Sequence, residues 1–430
     1  MEHNTQKQSA VPMRGMRDLL PSEVALRQAV IAKIKTVYTS YGFSEIETPI
    51  VERSELLNTG EGGDNEKQTF GIMRRGLSLK DIKETDAQHD LVDGGLRFDL
   101  TVPLTRYYAN NHAQLPSPAK VFQIGSVFRA ERPQKGRYRQ FTQCDIDIIG
   151  EESTIAEREL LLATTDVLAS IGFEGFTVRI NDRRILKGIA YSCGYTEGEL
   201  ETVFIIIDKL DKVGLDGVAT ELSEKSSQPE TVEKMMHFLR NISTQTDNTA
   251  LLNLMPAEVD TDAITQLTEI IDSVEKLSAS DCTVVFDPTL VRGMGYYTGP
   301  IFEITDKDFP GSIAGGGRYD KMIGKYLSSD VPACGFSIGF ERIMSLLEER
   351  GSTLVHKQSK RAVLYDAAVV PTDFALSLTQ QLRAENPGVT SLHKRKKNMK
   401  NQLNELTEAG YTSYCLLESE QVSPEFKDIG

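Results

Sequence analysis

The sequence predicts an α+β fold built from more than one domain, and three observations carry that expectation. Residues 127–150 read as a strand, a tight basic loop and a returning strand, the pattern of an antiparallel hairpin. Residues 176–280 change texture to helical segments rich in Lys, Glu, Ser and Thr, which reads as a mostly helical insertion. Residues 361–430 alternate strand-like and helical stretches, which suggests a small α/β domain. A chain of 430 residues is also too long for one ordinary core; about two to four domains is the expectation.

In chain order, residues 22–41 place Leu26, Val30, Ile34, Val37, Tyr38 and Tyr41 on one helical face, with Pro21 before the helix and Gly42 after it. Residues 43–51 alternate like a strand, and Pro49 within it points to an edge or interface position. Residues 60–76 read as a loop and short hairpin, residues 96–104 as a strand, and residues 154–171 as a helix. The core resumes after the helical block at 284–286, continues through 290–299, 301–304 and 314–320, and finishes with Gly335–Arg342. Residues 346–360 read as a helix end and a linker. The expected divisions are 1–175 and 281–350 as two parts of one core, 176–280 as the insertion and 361–430 as the last domain.

Composition narrows the classes of function. Hydrophobic content of 40% and charged content of 26% are those of a soluble globular protein. No apolar run approaches the roughly 18 residues that cross a bilayer, and residues 1–10 are polar, so a cytoplasmic protein is expected. The five cysteines are scattered, which argues against zinc and disulfide frameworks. A net charge of −14 argues against a general nucleic-acid coat. Local basic patches at 132–139 and 393–400 leave room for a nucleic-acid partner.

Three arginines stand in contexts that suit a polyphosphate: Arg129, Arg292 and Arg342, each beside a strand or helix start with glycines nearby. Guanidinium forks pair bidentately with phosphate oxygens and stabilise charge that grows during phosphoryl transfer. Ala314–Gly317 lets backbone approach a ligand or another strand closely. Gly335–Arg342 leads small residues into a helix that presents Arg342 at its start, where the dipole also favours anions.

Residues 127–150 resemble motif 2 of class II aminoacyl-tRNA synthetases, in the form found in histidyl-tRNA synthetases. The helix at 22–41 and the strand with Pro49 resemble motif 1, and Gly335–Arg342 is similar to motif 3. Arg292–Tyr297 and Ala314–Asp320 look like two signatures peculiar to the histidine enzymes, and residues 14–18 resemble that family's opening segment. The resemblance implies a class II catalytic core, an antiparallel sheet flanked by helices, with an inserted helical domain and a C-terminal anticodon-binding domain. It implies histidine–tRNA ligation by a homodimer in two steps, with ATP, L-histidine and tRNA(His) as substrates and Mg2+ on the β- and γ-phosphates.

Roles follow position by position. Arg129 would hold the α-phosphate and the histidine carboxylate, Glu131 the adenine amino group, and Arg342 the γ-phosphate. Arg137 falls at an ATP contact, and Arg292 at the family's catalytic arginine beside the α-phosphate. Asp99, Thr101 and Gln143 fall where the α-amino group is bound. Asp147 and Tyr297 match the imidazole-reading positions, with Tyr296 and Tyr319 lining the same pocket. Neutral imidazole offers one donor and one acceptor, which a carboxylate and a tyrosine hydroxyl satisfy. Arg132, Gln134 and Lys135 fall where the tRNA acceptor end would approach. No metal-ligating residues are assigned. Gly295 departs from the aspartate that many members carry, and many members also continue for another strand and helix beyond residue 430.

Two rival readings stand beside this one. A non-catalytic synthetase paralogue, the regulatory subunit of ATP phosphoribosyltransferase, generally loses the anticodon domain and some of these arginines. A class II synthetase for proline or threonine would lack the 292–297 signature and Asp147.

Overall fold

The computed structural model describes residues 10–58, 67–85, 88–132, 137–225, 228–291, 296–355, 360–385, 388–420 and 424–429. They fall into two units, Met1–Ser352 and Thr353–Gly430.

The first unit begins with helix α1 (Pro21–Ser40), strands β1 (Ser44–Glu45) and β2 (Val51–Arg53), helix α2 (Ser54–Leu57), strand β3 (Phe70–Met73) and helix α3 (Leu79–Glu84). Then come β4 (Val92–Leu96), α4 (Thr101–Asn111), β5 (Ala119–Phe128), β6 (Gln140–Ile149), α5 (Ile155–Ser170) and β7 (Phe176–Asp182). Helices α6 (Arg183–Cys193), α7 (Leu200–Ile207), α8 (Leu210–Lys225), α9 (Pro229–Ile242), α10 (Asn248–Asn253) and α11 (Thr261–Leu277) follow. The unit ends with β8 (Cys282–Phe286), β9 (Pro300–Thr305), β10 (Ser312–Arg318), β11 (Ala333–Ile338) and α12 (Phe340–Glu349).

Its main sheet has the order β1-β5-β6-β11-β10-β9-β7-β8. The pairs from β5 to β7 are antiparallel, and the outermost pairs, β1 with β5 and β7 with β8, are parallel. A smaller sheet, β2-β4-β3, stands apart. Helix α1 starts where the sequence signals it: Pro21 needs no donor at the first position, and Glu23 accepts the Leu20 N–H at 2.7 Å. Its buried face, Val30, Ile34 and Tyr38, packs on α5, and α5 packs on β6 and β11. A buried ion pair fixes α5 to β10: Arg318 Nε and Nη2 reach Glu157 at 2.5 and 2.9 Å.

Three elements differ from the sequence reading. The alternation at 43–51 is two short strands in different sheets, with Pro49 in the connection between them. The alternation at 96–104 ends early: β4 stops at Leu96 and α4 starts at Thr101. Asp99 accepts the Val102 N–H at 3.0 Å and so opens the helix, and Pro103 sits in the first turn, where its missing N–H costs nothing. Strand β7, read as the start of the insertion, pairs with β9 and β8 in the main sheet, so the helical block proper runs from Arg183 to Leu277. Apolar alternation on β7, with Phe176, Val178 and Ile180 buried, is the sheet signal the change of composition hid. Within the block, α8 is broken at Gly214, whose φ of 69° is open to glycine at little cost.

The second unit contains β12 (Lys360–Tyr365), α13 (Thr372–Glu385), β13 (Val389–Lys394), α14 (Met399–Glu408), β14 (Tyr411–Leu417) and β15 (Lys427–Asp428). β12 lies between β13 and β14 in parallel, and β15 adds to β14 antiparallel. Val363, Tyr365, Val370, Ala375, Leu382, Cys415 and Leu417 form a core of its own. Residues 394–398 of the basic run are exposed, and Lys396 pairs with Glu405 at 2.5 Å. Among the described residues no helix is long and apolar enough to cross a membrane.

Candidate active site

A cleft of about 500 Å³ lies over the middle of the main sheet, lined by β6, β10, β11 and the starts of α4 and α12. Its floor depends on glycine. A Cβ at Gly316 would lie 2.0 Å from the Gly335 carbonyl oxygen, and one at Gly335 would lie 2.0 Å from Asp147 Oδ1. The run at 314–317 therefore serves close strand approach, and Gly335 keeps a space for the aspartate opposite it.

One end of the cleft is acidic and buried. Successive side chains of a strand alternate between faces, so Gln143, Asp145 and Asp147 on β6 share one. Asp147 pairs with Gly335 across the ladder, and Asp145 with Ser337. The Tyr319 hydroxyl donates to Asp147 Oδ1 at 2.6 Å. Burial pushes the Asp147 carboxyl up to about 7, although the Tyr319 hydrogen bond pulls the other way. Burial, with the neighbouring Asp147 charge, also raises Asp145 well above the carboxylate range, against the Ser337 hydroxyl. Tyr296 and Tyr297 set their rings 4.5 Å apart and pack on an apolar cluster that includes Phe98, Val102 and Met322.

The other end is basic. Arg129 follows directly on β5, and its N–H bonds the Arg139 carbonyl at 2.9 Å, which extends the hairpin past the strand. Its Nε donates to the Phe98 carbonyl at 3.0 Å, and its guanidinium lies 5.1 Å from the Phe141 ring centre. That leaves the outer face of a fork directed by two fixed contacts. Arg137 faces Glu131 at 3.6 Å. Arg342, in the first turn of α12, donates to the Ser312 carbonyl and, at 3.2 Å, to Ser312 Oγ. Its neighbour Glu341 is gripped bidentately by Arg27 of α1, both contacts at 2.8 Å, and by Arg17 at 2.9 Å. Burial raises the Glu341 carboxyl, but Arg27, the Thr142 N–H and Arg17 hold it below its ordinary value.

The sequence-predicted residues divide into three groups. Asp99, Thr101, Gln143, Asp147, Tyr296, Tyr297 and Tyr319 line the cleft, and so do Arg129, Glu131, Arg137 and Arg342. Arg132 is exposed and does not line it. Arg292, Gln134, Lys135 and Gly295 lie outside the described residues. Sequence reasoning missed Asp145, Ser337, Ser312 and Glu341, all of which line the cleft. A signal for Asp145 existed: two residues from both Gln143 and Asp147, it shares their face by the period of the strand. Ser312 carries no comparable sequence signal; only the fold brings it to Arg342.

Residues 15–343 match the family profile of histidyl-tRNA synthetase. The chain is 43% identical over 417 residues to the histidine–tRNA ligase of Leifsonia xyli, covering 95% of each sequence. It is 39% identical over 345 residues to that of Korarchaeum cryptofilum, covering 79% of this chain and 75% of the relative. The crystal structure of histidyl-tRNA synthetase from Nostoc superimposes with a TM-score of 0.77 at 26% identity, over 98% of this chain and 95% of that one. With its antiparallel core, its inserted helices and its separate α/β unit, this chain belongs to the histidyl-tRNA synthetase family of class II aminoacyl-tRNA synthetases.

Proposed function

We propose that this chain is a histidine–tRNA ligase. It activates L-histidine with ATP to histidyl-adenylate and pyrophosphate, then transfers the histidyl group to the 3′ end of tRNA(His). The observation that carries this reading is the pairing, in one cleft, of a buried carboxylate–tyrosine recess with a set of arginines. Asp147 Oδ1 is occupied by Tyr319, which leaves Oδ2 to accept an imidazole N–H, and Tyr297 serves the other ring nitrogen. A ligand that lacks either group leaves buried polar atoms unpaired, so discrimination is strong. Asp99, Thr101 and Gln143 receive the α-ammonium.

In the first step the histidine carboxylate attacks the α-phosphorus in line. A carboxylate O–P bond forms, the bond to the pyrophosphate oxygen breaks, and pyrophosphate leaves. The nucleophile is already anionic, so the protein needs no base and contributes position and charge. Arg129 neutralises the growing α-phosphoryl charge together with Arg292, Arg342 holds the γ-phosphate, and Glu131 and Arg137 flank the base. Among the described residues no group of three His, Cys, Asp or Glu side chains is placed to hold a metal ion, which fits an Mg2+ carried in on the phosphate oxygens that it prefers. There it would neutralise triphosphate charge. In the second step a terminal ribose hydroxyl of the tRNA attacks the activated carbonyl, and AMP leaves.

Arg132, which is exposed, would meet the acceptor end, the role the sequence also gives Gln134 and Lys135, and the exposed basic residues of the second unit would meet the anticodon stem. The protein acts as a homodimer through the motif 1 region, where Val24, Ile50 and Val51 are 40–51% exposed. The reaction belongs in the cytoplasm, where charged tRNA is consumed. ATP–pyrophosphate exchange with each amino acid tests the proposal: histidine alone should support it. Exchange with proline or threonine, or none in a folded sample, would overturn it, and the latter would bring back the regulatory-subunit reading. Sedimentation should give twice the mass of one chain.

A further inference from the structure

Gln143 raises a question of polarity. An amide presents a donor on one side and an acceptor on the other, and only the acceptor suits an ammonium. Three contacts orient the amide. Ser337 Oγ donates to Asp145 Oδ1 at 2.5 Å, so its proton is committed and its lone pairs remain. Gln143 Nε2 donates to those lone pairs at 3.1 Å and lies 3.4 and 3.5 Å from the two Asp145 oxygens. Among the described residues Gln143 Oε1 is then left buried with no hydrogen-bond partner. Turning the amide over would set its oxygen against the hydroxyl lone pairs and against Asp145 Oδ1, which accepts from Ser337 whether or not the other aspartate oxygen carries the proton that burial favours. The ladder fixes the arrangement, because Ser337 and Asp145 are paired residues of β11 and β6.

We infer that Asp145 and Ser337 form a positioning relay, which locks the Gln143 amide with its oxygen toward the cleft as a dedicated acceptor for the substrate α-ammonium. Neither residue touches substrate in this role; they act through Gln143. An orphaned buried acceptor is costly in the empty protein and is satisfied when a cation arrives, which makes the amine a strong requirement. The inference rests on the histidine-binding reading above and deepens it.

The test compares two probes by calorimetry on the full-length protein. Histidinol carries the imidazole and the amine; 3-(imidazol-4-yl)propionate carries the imidazole and no amine. The Ser337→Ala and Asp145→Ala variants should each weaken histidinol about tenfold or more, while imidazolylpropionate affinity stays within about twofold. Ser337→Thr, which restores a hydroxyl, should recover histidinol binding. In steady state KM for histidine should rise while KM for ATP holds. Equal weakening of both probes means that the pair only braces the strands, and unchanged histidinol affinity means that Gln143 needs no relay; either result overturns the inference alone. Wild-type protein that binds neither probe overturns the histidine reading and the relay with it.

Discussion

The two ends of the cleft solve opposite problems. At the acidic end Asp145, Asp147 and Tyr319 are buried, Gln143 and Ser337 are half-buried, and the groups are already hydrogen-bonded to one another: Asp147 to Tyr319, Asp145 to Ser337, Gln143 to Ser337. At the basic end the arginines rest on carbonyls, rings and one half-buried carboxylate, and Arg137 is 52% exposed at its side chain. A small neutral ring must be told from its isosteres, which takes fixed and desolvated partners. A flexible triphosphate needs charge first, which guanidinium groups supply whether braced, as Arg129 and Arg342 are, or half in solvent, as Arg137 is. On the proposed reading, selectivity sits at the buried end and phosphate grip at the more exposed one.

The largest effect should come from Arg129, because it is the basic residue fixed most like the acidic end. Arg129→Ala should lower kcat/KM for histidine-dependent exchange by about 10²–10³, with the loss mainly in kcat. Arg129→Lys should recover little, since a point charge cannot use the Phe98 carbonyl and the Phe141 ring together with two phosphate oxygens. A loss confined to KM would show that Arg129 binds substrate without stabilising the transition state.

Asp147 gives the next largest effect, and its sign is specific. Its carboxyl ordinarily titrates near 3.8 and is pushed to about 7 in the folded protein. Between those values the native state binds more protons than the unfolded one. The associated stability is full below pH 3.8 and is lost as the pH rises through 7. Asp147→Asn removes that loss while keeping an acceptor for Tyr319. The variant should therefore gain on the wild type at pH 8 by up to a few kcal/mol and show no such gain at pH 4. Melting curves at both values check it; parallel shifts would mean that Asp147 is hydrated and the acidic end is not closed.

The same contrast explains what could be read from the chain alone. The hairpin, the glycine runs and the arginines are local patterns, so the β5–β6 hairpin and the order of the segments that line most of the cleft were legible, while 314–317 and 335–338 were not read as strands. Asp145 was equally available from the period of β6, but no motif singled it out. Long-range partners were not available: that Glu341 would hold Arg27 of α1, or that Ser312 would brace Arg342, depends on how distant segments meet. The strand-like reading of 96–104 failed for a related reason. Apolar alternation over a few residues is shared by strands and by the first turn of a buried helix, and the deciding Asp99 contact is to the backbone.

Gly335→Ala probes the space between the ends. Its Cβ would meet Asp147 Oδ1 at 2.0 Å and Tyr319 at 3.2 Å, so the imidazole recess must shift while Arg129 and Arg342 stay in place. Overpacking of this kind costs about 1–3 kcal/mol. KM for histidine should rise by about tenfold or more, with KM for ATP nearly unchanged. Equal changes in both would show that the cleft moves as one body.

Arg137 should matter least. Half in solvent and 3.6 Å from Glu131, it gains little from its partner in water, and its removal should alter stability by no more than about 0.5 kcal/mol. Its proposed contact with ATP would be screened in the same way, so Arg137→Ala should raise KM for ATP by about two- to fivefold, leave KM for histidine unchanged, and shrink in effect as salt is added. Because salt screens exposed charge and hardly reaches buried charge, the Arg129→Ala defect should persist at the same ionic strength. If both defects faded together, the difference in slack between the two arginines would not be what sets their weight in the reaction.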